Sequence, residues 1–449
     1  MSATELSRLL EPASIGLLLV TVIVFAIPIF IIFPPIPVER SDALRQTHTK
    51  VGVPSHQSNL RNQRSVQLHQ PAATGSDSEP SAANGRIQSL HIYPLKSCRG
   101  IELTEASVLP TGLENDRQFC FAQRKKFRVP VAPGSEELKQ QDGWEVLTLR
   151  QASYLANIKV DLWLPDETKK SRQLGHVEGG FVVGRFPWKD TGLRGVLQTL
   201  AAKLSRGLAA VPEKEFLLPL EFPSPEEVKA RGYSYASIRV FGDTATALDM
   251  GAELPSELQT YLGISNPITL FRMDPSQRRQ VVHFVPPKDE VGYQTEIDFQ
   301  DGYPLHVLSL TSVRALETNI LKDKDIEFLD IRRFRPNIIV SGLPEYDEDD
   351  WKAVQFKDSK ISKAQNNFLV SCRTVRCKLP NVDPATGIRH KLEPDRSLRK
   401  FREIDTGAPK KGCLGMQLCP LFADKSDRRL TLRVGMSTNV LERGDHVAV

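Results

Sequence analysis

Residues 371–387 read SCRTVRCKLPNVDPATG and bring two cysteines, Cys372 and Cys377, beside Arg373 and Arg376. The chain then turns through Asp383-Pro384 and Thr386-Gly387. A cationic neighbour favours the thiolate, the form of cysteine that attacks electrophiles or ligates metals. On these residues alone the other reading is a strand-end cysteine packed as a small hydrophobe.

The pattern RCxxxxVDPxTG, here residues 376–387, resembles the molybdenum-cofactor sulfurase C-terminal (MOSC) family, in particular its amidoxime-reducing members. Three further stretches agree in order: YPLKSCRG (93–100), DGYPLHVLS (301–309) and FRPNIIVSG (334–342). The resemblance covers roughly residues 86–449. It implies that Cys377 is the protein's ligand to molybdenum and the catalytic residue. It also implies molybdopterin contacts at Lys96, Ser97, Arg117, Asp301, Gly302, Tyr303, Arg335, Asn337, Arg376 and Gln417. These residue types suit the task. Lysine and arginine match a pterin phosphate, with arginine adding a planar fork. A hydroxyl, a carboxylate and a carboxamide supply neutral or accepting partners for the ring. Members of the family often carry small hydroxyl residues where this chain has Gly302-Tyr303, so backbone N–H donation is what carries over there.

Working outward, the 449 residues suffice for two or three domains. Charge is near balance, 59 Lys and Arg against 54 Asp and Glu. No basic tract interleaved with aromatics points to nucleic acid. Six cysteines without a C-x-x-C spacing read as reduced thiols, not as a disulfide scaffold or a zinc site. Strand-like alternation punctuated by Gly and Pro recurs from Arg86 onward. Together with the resemblance, this predicts a mixed, β-rich α+β fold. The expected division is a MOSC N-terminal β-barrel part over 86–265, with an insertion near 166–235, and a MOSC β-barrel domain over 275–449. A helix is expected at 191–206. Within 301–320 a strand should give way to a helix capped by Thr311 or Ser312. VLERGDHVAV near the end reads as strand–turn–strand. His306 reads as a strand residue.

Residues 13–33, ASIGLLLVTVIVFAIPIFIIF, carry no charge, which predicts a transmembrane helix. Arg8 is the one basic residue before it, whereas Arg40, Arg45, Lys50, Arg61 and Arg64 follow, which places the larger part in the cytosol. Residues 39–85 are poor in large apolar side chains and read as a disordered linker. The acidic run around Asp347–Asp350 reads as a solvated loop.

No G-x-G-x-x-G, G-x-S-x-G or H-E-x-x-H is present, which removes the commonest nicotinamide and hydrolase readings. The resemblance implies a molybdenum-dependent oxidoreductase that reduces N-hydroxylated compounds such as amidoximes or hydroxylamines. No ferredoxin-like cysteine cluster follows the MOSC part. Electrons are therefore expected from a separate protein; the resemblance implies a b-type cytochrome with its NADH-dependent reductase, and the mitochondrial outer membrane as the location. The alternatives are a sulfurase-like sulfur carrier and a cofactor-binding membrane protein without turnover.

Overall fold

The computed structural model describes residues 12–32, 40–65, 85–130, 138–169, 179–358 and 366–447. Seven strands close a ring: Arg86–Ile92, Leu305–Ser309, Ile338–Ser341, Trp351–Lys357, Asn366–Val375, Cys413–Leu421 and Ser437–Arg443. Closure falls to Arg86–Ile92, which pairs with Ile338–Ser341 on one side and meets Ser437–Arg443 on the other. One neighbour pair, 305–309 with 338–341, is parallel. A parallel pair needs a crossover. The helix Leu310–Thr318 supplies part of it and packs Leu310, Val313 and Leu316 against Leu308 and Ile339. Both strands are thus covered on two faces and buried at every position. The helix begins two or three residues earlier than expected. Ser309 holds the cap position, while Ser312 donates to Glu348 at 2.7 Å.

A second closed barrel is built from Phe119–Pro130, Leu138–Val146, Ser234–Val240, Asp243–Asp249 and Ile268–Met273. Small side chains, among them Cys120, Ala122, Ala245 and Ala247, let Phe271 and Phe299 fill its interior. The expected boundary between an 86–265 part and a 275–449 part is crossed by the chain. Strand 86–92 belongs to the ring, and Glu105–Leu109 pairs with Leu430–Arg433. A long-range strand pairing of this kind leaves no trace in local pattern.

The region near 166–235 contains strands Phe181–Pro187 and Glu213–Pro219 and helix Gly192–Arg206, close to the 191–206 expected. Its strands extend a four-stranded sheet whose outer member is His48–Val51, paired with Lys159–Pro165. That pairing corrects the reading of 39–85 as disordered. Within it, residues 40–65 are packed. Leu44 and Leu60 are buried, and Ser41 donates to Glu215 at 2.6 Å. A few well-placed apolar residues and partners outside the segment suffice where composition alone argued for disorder. Residues 66–84 lie outside the described residues.

A helix runs Pro12–Ile32 with Pro28 inside it, and its apolar side chains from Leu17 to Phe25 are mostly exposed. The side chains beyond Pro28 lie outside the described residues. Among the described residues, no helix is long and apolar enough to cross a membrane. At the other end, the strand–turn–strand expectation is corrected. Ser437–Arg443 is a strand, but the chain then leaves it, held by Gly444 donating to the Asp350 carbonyl and by the His446 ring on the Trp351 carbonyl.

The acidic run is structural. Asp347 and Asp350 pair with Arg443, Asp349 pairs with Arg402, and Glu348 is fully buried. Burial first, and Asp349 second, push the Glu348 carboxyl up to about 7. A folded pKa above the unfolded value means the folded state holds the proton longer. The stability from this group is therefore fully present below about 4.5 and lost as pH rises through about 7, by up to about 3 kcal/mol. Glu348→Gln should flatten that part of a stability–pH profile measured by urea denaturation. An unchanged slope between pH 5 and 7 would assign the titration to another group.

Candidate functional site

Non-glycine residues with positive φ are uncommon, because Cβ crowds the backbone there. The described residues include eight, and four of them, Ser97 (φ 69°), Arg117 (54°), Phe241 (57°) and Arg335 (54°), line one cavity of about 440 Å³. Strained backbone of this sort persists where surrounding structure over-determines it, commonly at functional sites. The cavity lies between the two barrels. Ser97 follows the ring strand 86–92, Arg117 precedes the first strand of the other barrel, and Phe241 sits in the turn between two of that barrel's strands. Arg335 caps the short helical turn Ile331–Phe334.

A buried carboxylate organises one wall. Asp116, 1% exposed, accepts from the Tyr93 backbone N–H at 2.7 Å and from Asn337 Nδ2 at 3.1 Å, and it pairs with Arg117. Arg117 also donates to Asn337 Oδ1 at 3.2 Å and to the Arg335 carbonyl at 3.1 Å. The Tyr93 ring lies between two guanidiniums, Arg335 at 4.1 Å and Arg117 at 4.8 Å from its centroid. Arg335 Nη1 donates to the Cys98 carbonyl at 2.7 Å, whereas its Nη2 is buried without a partner. Burial pulls the Arg335 guanidinium below the usual arginine range, with Arg117 adding to the effect. A buried cationic donor left unpaired is costly unless an anion meets it.

Lys96 donates to the Phe299 carbonyl at 2.6 Å and pairs with Asp301, which stays exposed at the cavity edge. Burial draws the ammonium of Lys96 below its ordinary range, and Asp301 acts against that. Gly302 is open on the side where a Cβ would stand. The Tyr303 hydroxyl donates to the His283 carbonyl at 3.1 Å.

On the opposite wall, strand 366–375 ends just before Arg376 and Cys377. Arg376 Nε donates to the Leu414 carbonyl at 3.1 Å, and its Nη2 lies 3.0 Å from His306 Nε2. Burial, then Arg376 and Arg117, hold His306 well below its ordinary range. A guanidinium offers only N–H donors, so Nε2 accepts from it. Burial pulls Arg376 down to about 10, with the Cys377 sulfur opposing. Cys377 is half-buried and borders this cavity and a neighbouring one of about 310 Å³. Cys372, five residues earlier in strand 366–375 and lining the same cavity, is buried, and burial raises its thiol to about 11. Gln417 stands opposite both His306 and Cys372 in the ring.

All eleven residues that the family resemblance singles out line this one cavity. One expectation needs correction. The Asn337 carboxamide already makes four hydrogen bonds, to His91 O, Asp116, Arg117 and the His306 N–H, which fills its capacity. It positions Arg117 and Asp116 and has nothing left to offer a ligand. Sequence reasoning missed Thr148, Arg150 and Phe241, which come from segments without a motif, and Phe334, which opens the 334–342 motif. It also passed over the part His306 plays in holding Arg376, although His306 lies inside the 301–309 motif. The cavity carries six cationic side chains against the single carboxylate of Asp301. Volume, charge and the unpaired Arg335 nitrogen fit an anionic organic group with a phosphate. Among the described residues no three His, Cys, Asp or Glu side chains converge as they would around a metal held by the protein alone.

Residues 84–170 match the MOSC N-terminal beta barrel domain, and residues 294–448 match the MOSC domain. The chain belongs to the MOSC-domain family. It is 24% identical over 321 residues to mitochondrial amidoxime reducing component 2 of Rattus norvegicus, covering 72% of this chain and 73% of that protein. It is 25% identical over 325 residues to mitochondrial amidoxime-reducing component 1 of Homo sapiens, again covering 72% and 73%. The corresponding protein of Mus musculus is also 25% identical, over 72% of both chains.

Proposed function

We propose that the protein is a molybdenum-cofactor-dependent oxidoreductase that reduces N-hydroxylated compounds to the corresponding amidines or amines. The observation that carries this reading is the convergence of Cys377, six cations and an unpaired buried guanidinium nitrogen on one cavity. It is supported by the similarity to amidoxime-reducing components.

In this reading Arg335 and Arg117 hold the phosphate and pterin oxygens of molybdopterin, with Lys96 and Ser97 beside them, and Cys377 supplies the thiolate. The bound group contributes a metal that accepts oxygen from the substrate and is re-reduced by two electrons. The chain's own residues orient and shield. Asp116 and Asn337 fix Arg117, and His306 fixes Arg376 next to Cys377. Gly302 has open space where a Cβ would stand, which leaves room for a ligand against the backbone there. Substrate reaches Cys377 from the adjoining 310 Å³ cavity. A b-type cytochrome and its NADH-dependent reductase deliver the electrons.

Metal and molybdopterin analysis of the purified chain, with benzamidoxime reduction on reconstitution, tests the proposal. Stoichiometric molybdenum without turnover would replace it by a carrier or storage reading. Arg335→Met, Arg117→Met and Lys96→Met should each lower the molybdopterin retained after gel filtration. The loss is expected to be largest for Arg335, whose charge-assisted bond is worth about 1.5–3 kcal/mol. Full retention in all three would move the phosphate clamp elsewhere.

The uncharged run 13–33, whose side chains beyond Pro28 lie outside the described residues, is proposed as a membrane anchor, with the outer mitochondrial membrane as its site and the catalytic part on the cytosolic face. Because packing resumes at residue 40, the catalytic part is held close to the membrane and not on a long tether. Protease added to intact mitochondria should then release the domain. Protection until the outer membrane is broken would reverse the orientation.

A further inference from the structure

A larger cavity, about 1240 Å³, lies on the other side of Tyr93, and Arg335 lines both. One of its walls comes from residues 50–65, which precede the first family match at residue 84. That wall is firmly seated. Leu60 is buried in a core cluster with Phe334, Gln63 Oε1 accepts from the Ile331 N–H at 3.3 Å, and the Asn59 carbonyl accepts from Gln88 at 2.8 Å.

The lining holds nine Lys and Arg side chains against three carboxylates. All three carboxylates are already engaged. Asp161 pairs with Lys50 and Arg185, Asp330 with Arg332, and Glu102 accepts from Ser58 and Ser89. Among the described residues, Arg61, Arg64 and Arg99 have no carboxylate partner in the wall they share. Arg61 reaches only the His56 carbonyl at 3.4 Å, Arg64 lies 4.2 Å over the Phe328 ring, and Arg99 donates to the Ala385 carbonyl at 3.2 Å. Burial, then the charge of Arg332, pull Arg99 below the ordinary arginine range. Arg333, 2% exposed, has its Nε buried without a partner. A concave site with a surplus of guanidiniums, some of them desolvated, has the chemistry for a phosphate-bearing anion.

We propose that this basin is a second anion site, separate from the cavity at Cys377, which takes a phosphate-bearing small molecule or headgroup. Arg335 gives it a wall in common with the first cavity, so its occupancy bears on the residue that clamps the ligand there. Arg61 and Arg64 line the basin alone and are exposed, which makes them safe to change.

The test is calorimetric titration of the full chain in neutral detergent with sodium pyrophosphate. Saturable binding is expected in the wild-type protein. Arg61→Gln/Arg64→Gln should weaken it about tenfold or more, and Arg61→Lys/Arg64→Lys should restore part of it. A second arm repeats the titration on chain reconstituted in phosphatidylcholine vesicles with and without phosphatidylinositol 4-phosphate. Weaker pyrophosphate binding in the presence of that lipid identifies a headgroup as the source, and unchanged binding identifies a soluble phosphate; both uphold the site. Absence of saturable heat, or wild-type affinity in the Gln double variant, overturns it.

Discussion

Cys377→Ser should fold normally, retain molybdopterin, and lose the molybdenum–thiolate bond and reductase turnover. The residue is half-buried at the end of a strand, and the substitution is nearly isosteric, so packing changes little. What changes is the donor. A hydroxyl is a hard oxygen that does not ionise near neutral pH, whereas a thiolate is the soft donor suited to this cofactor. Removal of residues that only orient a metal ligand commonly costs ten- to a hundredfold in metal affinity or activity. Loss of the ligand itself should therefore exceed about a hundredfold. Cys372→Ser is the internal control. Its thiol is buried, with burial raising it to about 11, so it is neutral at working pH and its replacement should leave molybdenum content near wild type. Elemental analysis and benzamidoxime turnover of both variants decide the matter. Wild-type metal and turnover in Cys377→Ser would end the assignment.

The second large effect is expected at a residue no motif singled out. Asp116→Ala should destabilise the protein by about 3–5 kcal/mol, because it strands partners that have no water to turn to. The carboxylate receives the Tyr93 N–H, Asn337 and Arg117, all inside the wall between the barrels. Its removal leaves a guanidinium and a carboxamide donor unpaired, and the Tyr93 ring between Arg117 and Arg335 loses its support. Asp116→Asn should cost less, since it keeps an acceptor, though one of its N–H groups then faces donors. Urea denaturation of the full chain in detergent measures both. A shift under about 1 kcal/mol for the Ala variant would show that the wall holds without its carboxylate.

By itself the sequence determined the chemistry available and the order in which it arrives. The RC pair with VDPxTG, YPLKS, DGYPLH and FRPN name nine of the eleven site residues, and short strands with Gly and Pro between them dictate a β-rich chain, because side-chain type and period are local properties. Tertiary structure alone decided how those residues meet. Strand 86–92 closes the C-terminal ring rather than joining the barrel next to it in sequence. Residues 40–65 are ordered by partners more than a hundred positions away, such as Glu215 and Pro165. Arg150 and Phe241 reach the cavity only because the two barrels pack together. Asn337, named by its motif as a ligand contact, is instead saturated by Asp116, Arg117, His91 and His306. The physical reason is common to all four. Hydrogen-bond saturation, burial and strand closure depend on atoms brought together from distant segments, and a one-dimensional pattern carries no record of which donors will already be taken.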